Sequence, residues 1–220
     1  MKTEFIKKEG SKSLILVFAG WAMNANLFRN IHTDNDLAIC YDYRDMTFNK
    51  EIISTYNVIH IIAWSMGVWA VDFVSDKLDG LNISSRTAIN GTKTPIDDER
   101  GIQKAVFSAT LNNISEPSMR KFTIRMCGDK VQYEIFLNNA PNRNIEEIKE
   151  ELRLIEQYSS EKPASNIVWD RVFIGKNDYI FLQNNQQKAW EKHTKEMIIV
   201  DEAHYNSERM ESIIKEVDKQ

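Results

Sequence analysis

The sequence predicts an α/β fold, a mostly parallel sheet flanked by helices, and three observations lead there. Short runs with strand character recur along the chain. Most are continuously apolar rather than alternating, as in strands covered on both faces. Between several of them lie stretches that read as helices, and that alternation builds a parallel sheet through right-handed crossovers. At 220 residues, 42% hydrophobic and 27% charged, the chain has the size of one globular domain with a sizeable core, so a single domain over 1–220 is expected.

Taken in order, strands are expected at SLILVFAG (13–20), DLAICYDY (36–43), NVIHIIAW (57–64), SRTAINGT (85–92), DRVFIGKND (170–178) and EMIIVD (196–201). Helices are expected over Val68–Leu78 and Leu182–His193, and the Glu/Lys-rich C-terminus reads as a solvated final helix. Between 101 and 163 the rhythm changes. Charges are dense there, and in IEEIKEELRLIEQY (145–158) the residues Ile145, Ile148, Leu152 and Ile155 recur at steps of three and four. Such a stretch is long for one connection. A helical insert over 101–163, lying on the sheet as a small cap, is expected.

A net charge of −4 gives no overall attraction to polyanions, which disfavours nucleic acid or an anionic membrane as principal partner. The two cysteines, Cys40 and Cys127, lack a CxxC spacing, so neither a disulfide framework nor a zinc knuckle is expected. The longest apolar run, Leu14–Met23, is too short to cross a bilayer and follows the acidic Glu4 and Glu9, unlike a signal peptide. A cytoplasmic monomer is the expectation. No His/Asp/Glu pair shows metal-ligand spacing near the candidate site, so no metal or cofactor is expected.

Ser65 stands in Ala-Trp-Ser-Met-Gly (63–67), directly after one apolar run and before a helical stretch. In open α/β sheets, functional residues gather at the carboxyl ends of the strands. The pattern is one residue short of the Gly-x-Ser-x-Gly nucleophile elbow, with Ala63 in the first glycine's place. A serine capping the next helix is the alternative. A working nucleophile needs an acid after a later strand and a histidine after the last. VFIGKNDYI supplies Asp178 and MIIVDEAHY supplies His204, in that chain order. Asp178 could instead serve a turn, while Asp201 and Glu202 lie too near His204 to reach its ring from a separate strand end. His204 would be the base, Asp178 its orienting acid, and the backbone N–H groups of Met66 and Trp21 the oxyanion donors. Trp21 could equally be a core aromatic.

FAGWAMNANLF, AWSMGVWA, AINGTKTPID and FIGKND together resemble the BioG-type pimeloyl-acyl-carrier-protein methyl ester esterases of the α/β-hydrolase fold. Phe18 and Ala19 replace the His-Gly pair usual in related esterases of biotin synthesis, and Ala22 replaces a common glycine. The resemblance implies hydrolysis of the methyl ester on a pimeloyl chain, with acyl carrier protein as partner. Trp21, Trp64, Trp69, Phe107, Phe122 and Phe136 are candidate walls for an aliphatic chain, each with core packing as the alternative. Arg120, Lys121 and Arg125 form a candidate docking patch for the carrier. Helical spacing puts Lys121 and Arg125 opposite Met119, Phe122 and Met126. A short-acyl carboxylesterase or thioesterase, or a catalytically silent binding protein of the same fold, are the other readings.

Overall fold

A computed structural model describes residues 1–162 and 164–219. Seven strands form one sheet: β1 (Lys2–Lys7), β2 (Ser13–Phe18), β3 (Asp36–Tyr41), β4 (Val58–Trp64), β5 (Ile83–Ile89), β6 (Trp169–Gly175) and β7 (Thr194–Val200). Their order is β1-β3-β2-β4-β5-β6-β7. β1 runs antiparallel to β3, and every other pair is parallel.

The apolar runs lie where the sequence expects them. Leu14–Phe18 of β2 and Ile59–Trp64 of β4 are buried throughout, because helices cover both faces of central parallel strands. The added strand is β1, KTEFIK. It is short, half exposed and flanked by lysines, which suits a sheet edge and hides it from a search for apolar runs.

α1 (Met66–Phe73) follows β4 and ends sooner than expected, its last turn passing into a tighter 3-10 turn over Ser75–Leu78. α6 (Gln183–Trp190) and α7 (Ser207–Val217) complete the flanking layers. Between β5 and β6 stand four helices, α2 (Lys104–Asn112), α3 (Glu116–Cys127), α4 (Lys130–Asn138) and α5 (Ile145–Glu161). The expected end of the insert, residue 163, lies outside the described residues, as does the chain's last residue, 220.

Local sequence explains these helices. Ser115 and Ser118 form a reciprocal capping box at the start of α3, and Gly128 ends it in the left-handed region at φ 76°. Asn144 caps α5, with Glu146 and Glu147 in its positive first turn. α5 buries Ile148, Leu152 and Ile155 as the periodicity expects, and also Glu151. Burying each aliphatic side chain stabilises the packing of the helix by about 2 kcal/mol. Among the described residues no helix is long and apolar enough to cross a membrane.

Chain order along the sheet reverses at β2 and β4. From β2 the chain steps outward to β3, then returns to β4 on the other side. The crevice beyond the carboxyl ends of two such strands is where α/β sheets place ligands. Here those ends carry Gly20–Met23 and Ser65.

Candidate active site

Ser65 joins β4 to α1 in a backbone conformation rare for an L-residue, φ 59° and ψ −126°. Its N–H donates to the Ile89 carbonyl at 3.0 Å, and its carbonyl accepts from Val68 at 3.1 Å. Close approach of backbone on both sides holds the turn. A Cβ on Gly67 would lie 2.1 Å from the Phe18 carbonyl oxygen, and one on Gly91 would lie 2.3 Å from the Ser65 carbonyl oxygen. Ala63 sits two residues earlier within β4, fully buried and paired with Phe18 and Ala88, where a methyl group fits. Ser65 makes no helix-capping bond. Its Oγ lies 2.9 Å from His204 Nε2 instead.

His204 follows β7 and is buried. Its Nδ1 lies 2.9 Å from Asp178 Oδ2. Phe181 packs nearly parallel to the imidazole, at 9° and 5.9 Å between ring centres, and Trp64 lies across it. The His204 carbonyl accepts from Trp64 Nε1 at 2.9 Å and from Asn90 Nδ2 at 3.0 Å.

Asp178 serves both the turn and the histidine. Its Oδ1 accepts from the Ile180 and Phe181 N–H groups at 2.7 and 2.9 Å, the bonds of a turn-forming aspartate. Its Oδ2 faces His204 and also accepts from Gln186 Nε2 at 3.1 Å. The alternative acids point elsewhere. Asp201 accepts from Asn177, and Glu202 pairs with Arg209 at 2.7 Å.

Two contributors escaped the sequence reading. Asn90, left-handed at φ 46°, donates to the Ala203 and His204 carbonyls and accepts from Gly175 N–H, tying the end of β5 to β6 and to the histidine loop. Its signal is the Asn-Gly pair just beyond a strand. Gln186, one helical turn into α6, braces Asp178 and carries no such local mark.

An apolar cleft opens over Ser65 and His204. It is narrow, with about 30 Å³ of space wide enough for a water molecule. Trp21, Met66, Trp64, Phe107, Phe122 and Arg125 are among the residues lining it. Among the described residues, the N–H groups of Trp21 and Met66 have no acceptor, so both are free to bind a ligand oxygen. The Trp21 ring meets the edge of Phe122 at 5.3 Å and donates through Nε1 to the Ile148 carbonyl of α5 at 2.8 Å.

Three expectations need correction. Trp69 lies in the core, packed on Tyr43 and Phe73, because its face of α1 turns toward the layer beneath the insert. Phe136 packs edge-on against Tyr205 and stays outside the cleft. Arg125 does not point away from Phe122. Three residues apart on α3, the two are neighbours, and the guanidinium lies 5.8 Å over that ring at the cleft wall. Arg120 and Lys121 are exposed, Lys121 at the rim of a groove of about 520 Å³ between α2 and α3 that shares Val106, Thr110, Phe122 and Arg125 with the cleft.

Behind the Gly20–Met23 loop lies a buried ionic cluster. Glu151 is fully buried and pairs with Arg143 at 2.7 Å, and Arg143 reaches Asp42 at 3.2 Å. Burial pushes the Glu151 carboxyl above its ordinary range, while Arg143 and the Tyr43 and Ala22 N–H groups pull it back. Burial pushes the thiols of Cys40 and Cys127 up to about 12, so neither is a nucleophile at neutral pH. Among the described residues no cluster of His, Cys, Asp and Glu could hold a metal ion.

Comparison with known proteins agrees with this fold. The chain is 46% identical over 206 residues to a Bacteroides fragilis protein named malonyl-[acyl-carrier protein] O-methyltransferase, covering 93% of this chain and 41% of that protein. The chain thus spans about two fifths of that relative's length. The crystal structure of BioG from Haemophilus influenzae superposes with a TM-score of 0.85 at 35% identity, covering 95% of this chain and 96% of that one. A lipase-esterase related protein from Clostridium acetobutylicum shares the α/β-hydrolase fold, with a TM-score of 0.66 at 15% identity over 97% of both chains. Residues 1–212 match the family described as pimeloyl-ACP methyl esterase BioG, and to that family the chain belongs.

Proposed function

We propose that this chain is a serine esterase that hydrolyses the methyl ester of a pimeloyl chain carried on acyl carrier protein, in the supply of biotin's precursor. The observation supporting this most is the file of 2.9 Å hydrogen bonds from Asp178 through His204 to Ser65, beneath an apolar cleft. His204 Nε2 takes the Ser65 Oγ proton as Oγ attacks the ester carbonyl carbon, while Nδ1–H stays bonded to Asp178. The carbonyl oxygen gains negative charge, which the Trp21 and Met66 N–H groups stabilise. Collapse breaks the acyl–oxygen bond, and His204 returns the proton to the departing methoxy group, releasing methanol. Water, deprotonated by the same imidazole, then splits the acyl-serine to a free carboxylate. Nucleophile, base and charge stabilisation all come from the chain, so no cofactor is needed.

The helices between β5 and β6 act in this reading as a cap. Phe107, Phe122 and Arg125 close the cleft so tightly that an aliphatic chain must part them. The groove between α2 and α3 continues outward from that wall, with Lys121 and Arg125 lining it, and these two and the exposed Arg120 serve in this reading as cations for the acidic carrier. The Bacteroides fragilis relative's name points to the same substrate class, because O-methylation of a carrier-borne acid makes the kind of ester that the family description has removed. On this reading the enzyme works in the cytoplasm, where its carrier-borne substrate would be made.

The test is to hydrolyse carrier-bound methyl esters of different chain length side by side. Methyl pimeloyl should be preferred over shorter chains. Equal rates for all lengths would favour a general short-acyl carboxylesterase.

A further inference from the structure

The loop beyond β2 has little of its own to hold it. Within Gly20–Met23 one backbone bond closes the turn, Met23 N–H to the Gly20 carbonyl at 3.3 Å. Ala22 nonetheless adopts φ 66°, a left-handed conformation costly for any residue with a Cβ. The remaining bonds come from α5 and the segment leading into it. Ile148 accepts from the Trp21 indole at 2.8 Å, Glu151 Oε2 accepts from Ala22 N–H at 3.2 Å, and Arg143 donates to the Met23 carbonyl at 3.4 Å.

Glu151 binds a second loop in the same manner. Its Oε1 accepts from Tyr43 N–H at 2.8 Å, the residue after Asp42, which is left-handed at φ 61°. One carboxylate thus holds two strained turns, and Arg143 balances its charge. A buried ion pair is a poor device for stability, since two charges must leave water. An apolar residue on this face of α5 would pack as well. The carboxylate supplies something an apolar residue lacks, two acceptors aimed at two backbone N–H groups.

We propose that Glu151 is a positioning residue for ester hydrolysis, its carboxylate fixing the Trp21–Ala22 backbone in the turn that points the Trp21 N–H at the substrate oxygen. This rests on the reading of Trp21 as an oxyanion donor. Glu151→Gln keeps the shape but replaces one acceptor with an amide donor, so one backbone N–H loses its partner. The turn then relaxes from the left-handed region. Ala22→Gly removes the penalty for that region and restores the turn from the other side.

The experiment measures methyl ester hydrolysis by wild type, Glu151→Gln, Ala22→Gly, and Glu151→Gln with Ala22→Gly, alongside thermal unfolding. Losing an oxyanion donor outright costs a hundredfold or more, so displacing one should lower kcat of Glu151→Gln by about tenfold to a hundredfold. KM should stay within about threefold, because the Trp21 ring keeps its bond to the Ile148 carbonyl and its contact with Phe122, so the wall it forms stays in place. Ala22→Gly should raise the melting temperature alone and in the double variant alike, because glycine carries no penalty at positive φ, but it should raise kcat, by at least about fivefold, only in the Glu151→Gln background. A purely structural role would make kcat follow the melting temperature. If Glu151→Gln does not fold, Glu151→Met with Arg143→Met removes both charges together and takes its place, with the same Ala22→Gly rescue. A folded variant with wild-type kcat, or a double variant with no recovery, overturns the proposal. A wild type that releases no methanol, or a Ser65→Ala variant that still does, overturns the functional reading instead.

Discussion

Ser65 and Ala22 both carry a side chain at positive φ, 59° and 66°, on neighbouring turns of one site, and they are held there by different means. Around Ser65 the restraint is steric and local. β4 enters, α1 leaves, and Gly67 and Gly91 let backbones touch where any Cβ would collide. Around Ala22 it is ionic and remote, coming from Glu151 and Arg143, more than a hundred positions along the chain. The geometry of Ser65 therefore belongs to the sheet, and that of the Ala22 loop belongs to the insert. Under the proposed role of Glu151, changes in the insert would shift the Trp21 N–H without disturbing Ser65.

The largest effect that sharpens this contrast lies on the sheet side. Asp178→Asn should leave the turn largely intact but favour the wrong imidazole tautomer, lowering turnover by up to roughly ten-thousandfold, as the same change does to the triad aspartate of serine proteases. Asp201→Asn should be nearly silent. The reverse pattern would mean that the acid is misassigned.

Gly67→Ala comes next. Its methyl group would overlap the Phe18 carbonyl oxygen, so β4 and α1 must separate, at a cost of about 3 kcal/mol. Equilibrium unfolding should show that loss. Full stability in the variant would show the elbow to be less closely packed than described.

On the insert side, Asp42 anchors the ionic cluster. Burial alone would raise its carboxyl, but hydrogen bonds from Arg44 and Lys2 and the charge of Arg143 outweigh it and hold the group well below the usual carboxylate range. The unfolded chain then takes up the proton first. Asp42 contributes stability above the unfolded value of 3.8, and that contribution is lost as pH falls further. Asp42→Asn should destabilise by on the order of 2 kcal/mol near neutrality, with the deficit shrinking as pH falls below about 4. Denaturant titrations across pH read this directly, and a constant deficit would contradict it.

The smallest effect is at the rim. Arg120→Glu with Lys121→Glu should raise KM for a carrier-bound ester several-fold at low salt, less at high salt, and leave a small neutral ester unaffected. Equal damage to both substrates would indicate a disturbed cleft.

The same contrast explains what the sequence disclosed. Ser65, Asp178 and His204 stand directly beyond apolar runs, so strand ends and chain order are enough to pick them out. The main strands are legible for the same reason. Glu151 is not, because in IEEIKEELRLIEQY it is one glutamate among several, and only the packing of α5 turns it inward. Trp69 and Phe136 show the converse limit. An aromatic type suggests a wall, but which face of a helix meets the cleft depends on how the insert is docked. That docking rests on contacts such as Tyr205 N–H to the Met126 carbonyl, at 3.0 Å, which no local pattern encodes.

The central claim is that Ser65 cleaves the methyl ester and spares the thioester that joins the acyl chain to its carrier. Mass spectrometry of the carrier after exposure to enzyme tests it directly. Wild type should convert methyl pimeloyl-carrier to pimeloyl-carrier, a loss of one CH₂ in mass, with methanol released and the thioester intact, and Ser65→Ala should leave the substrate unchanged while remaining folded. Release of the bare thiol carrier, or methyl loss undiminished in Ser65→Ala, would contradict the account.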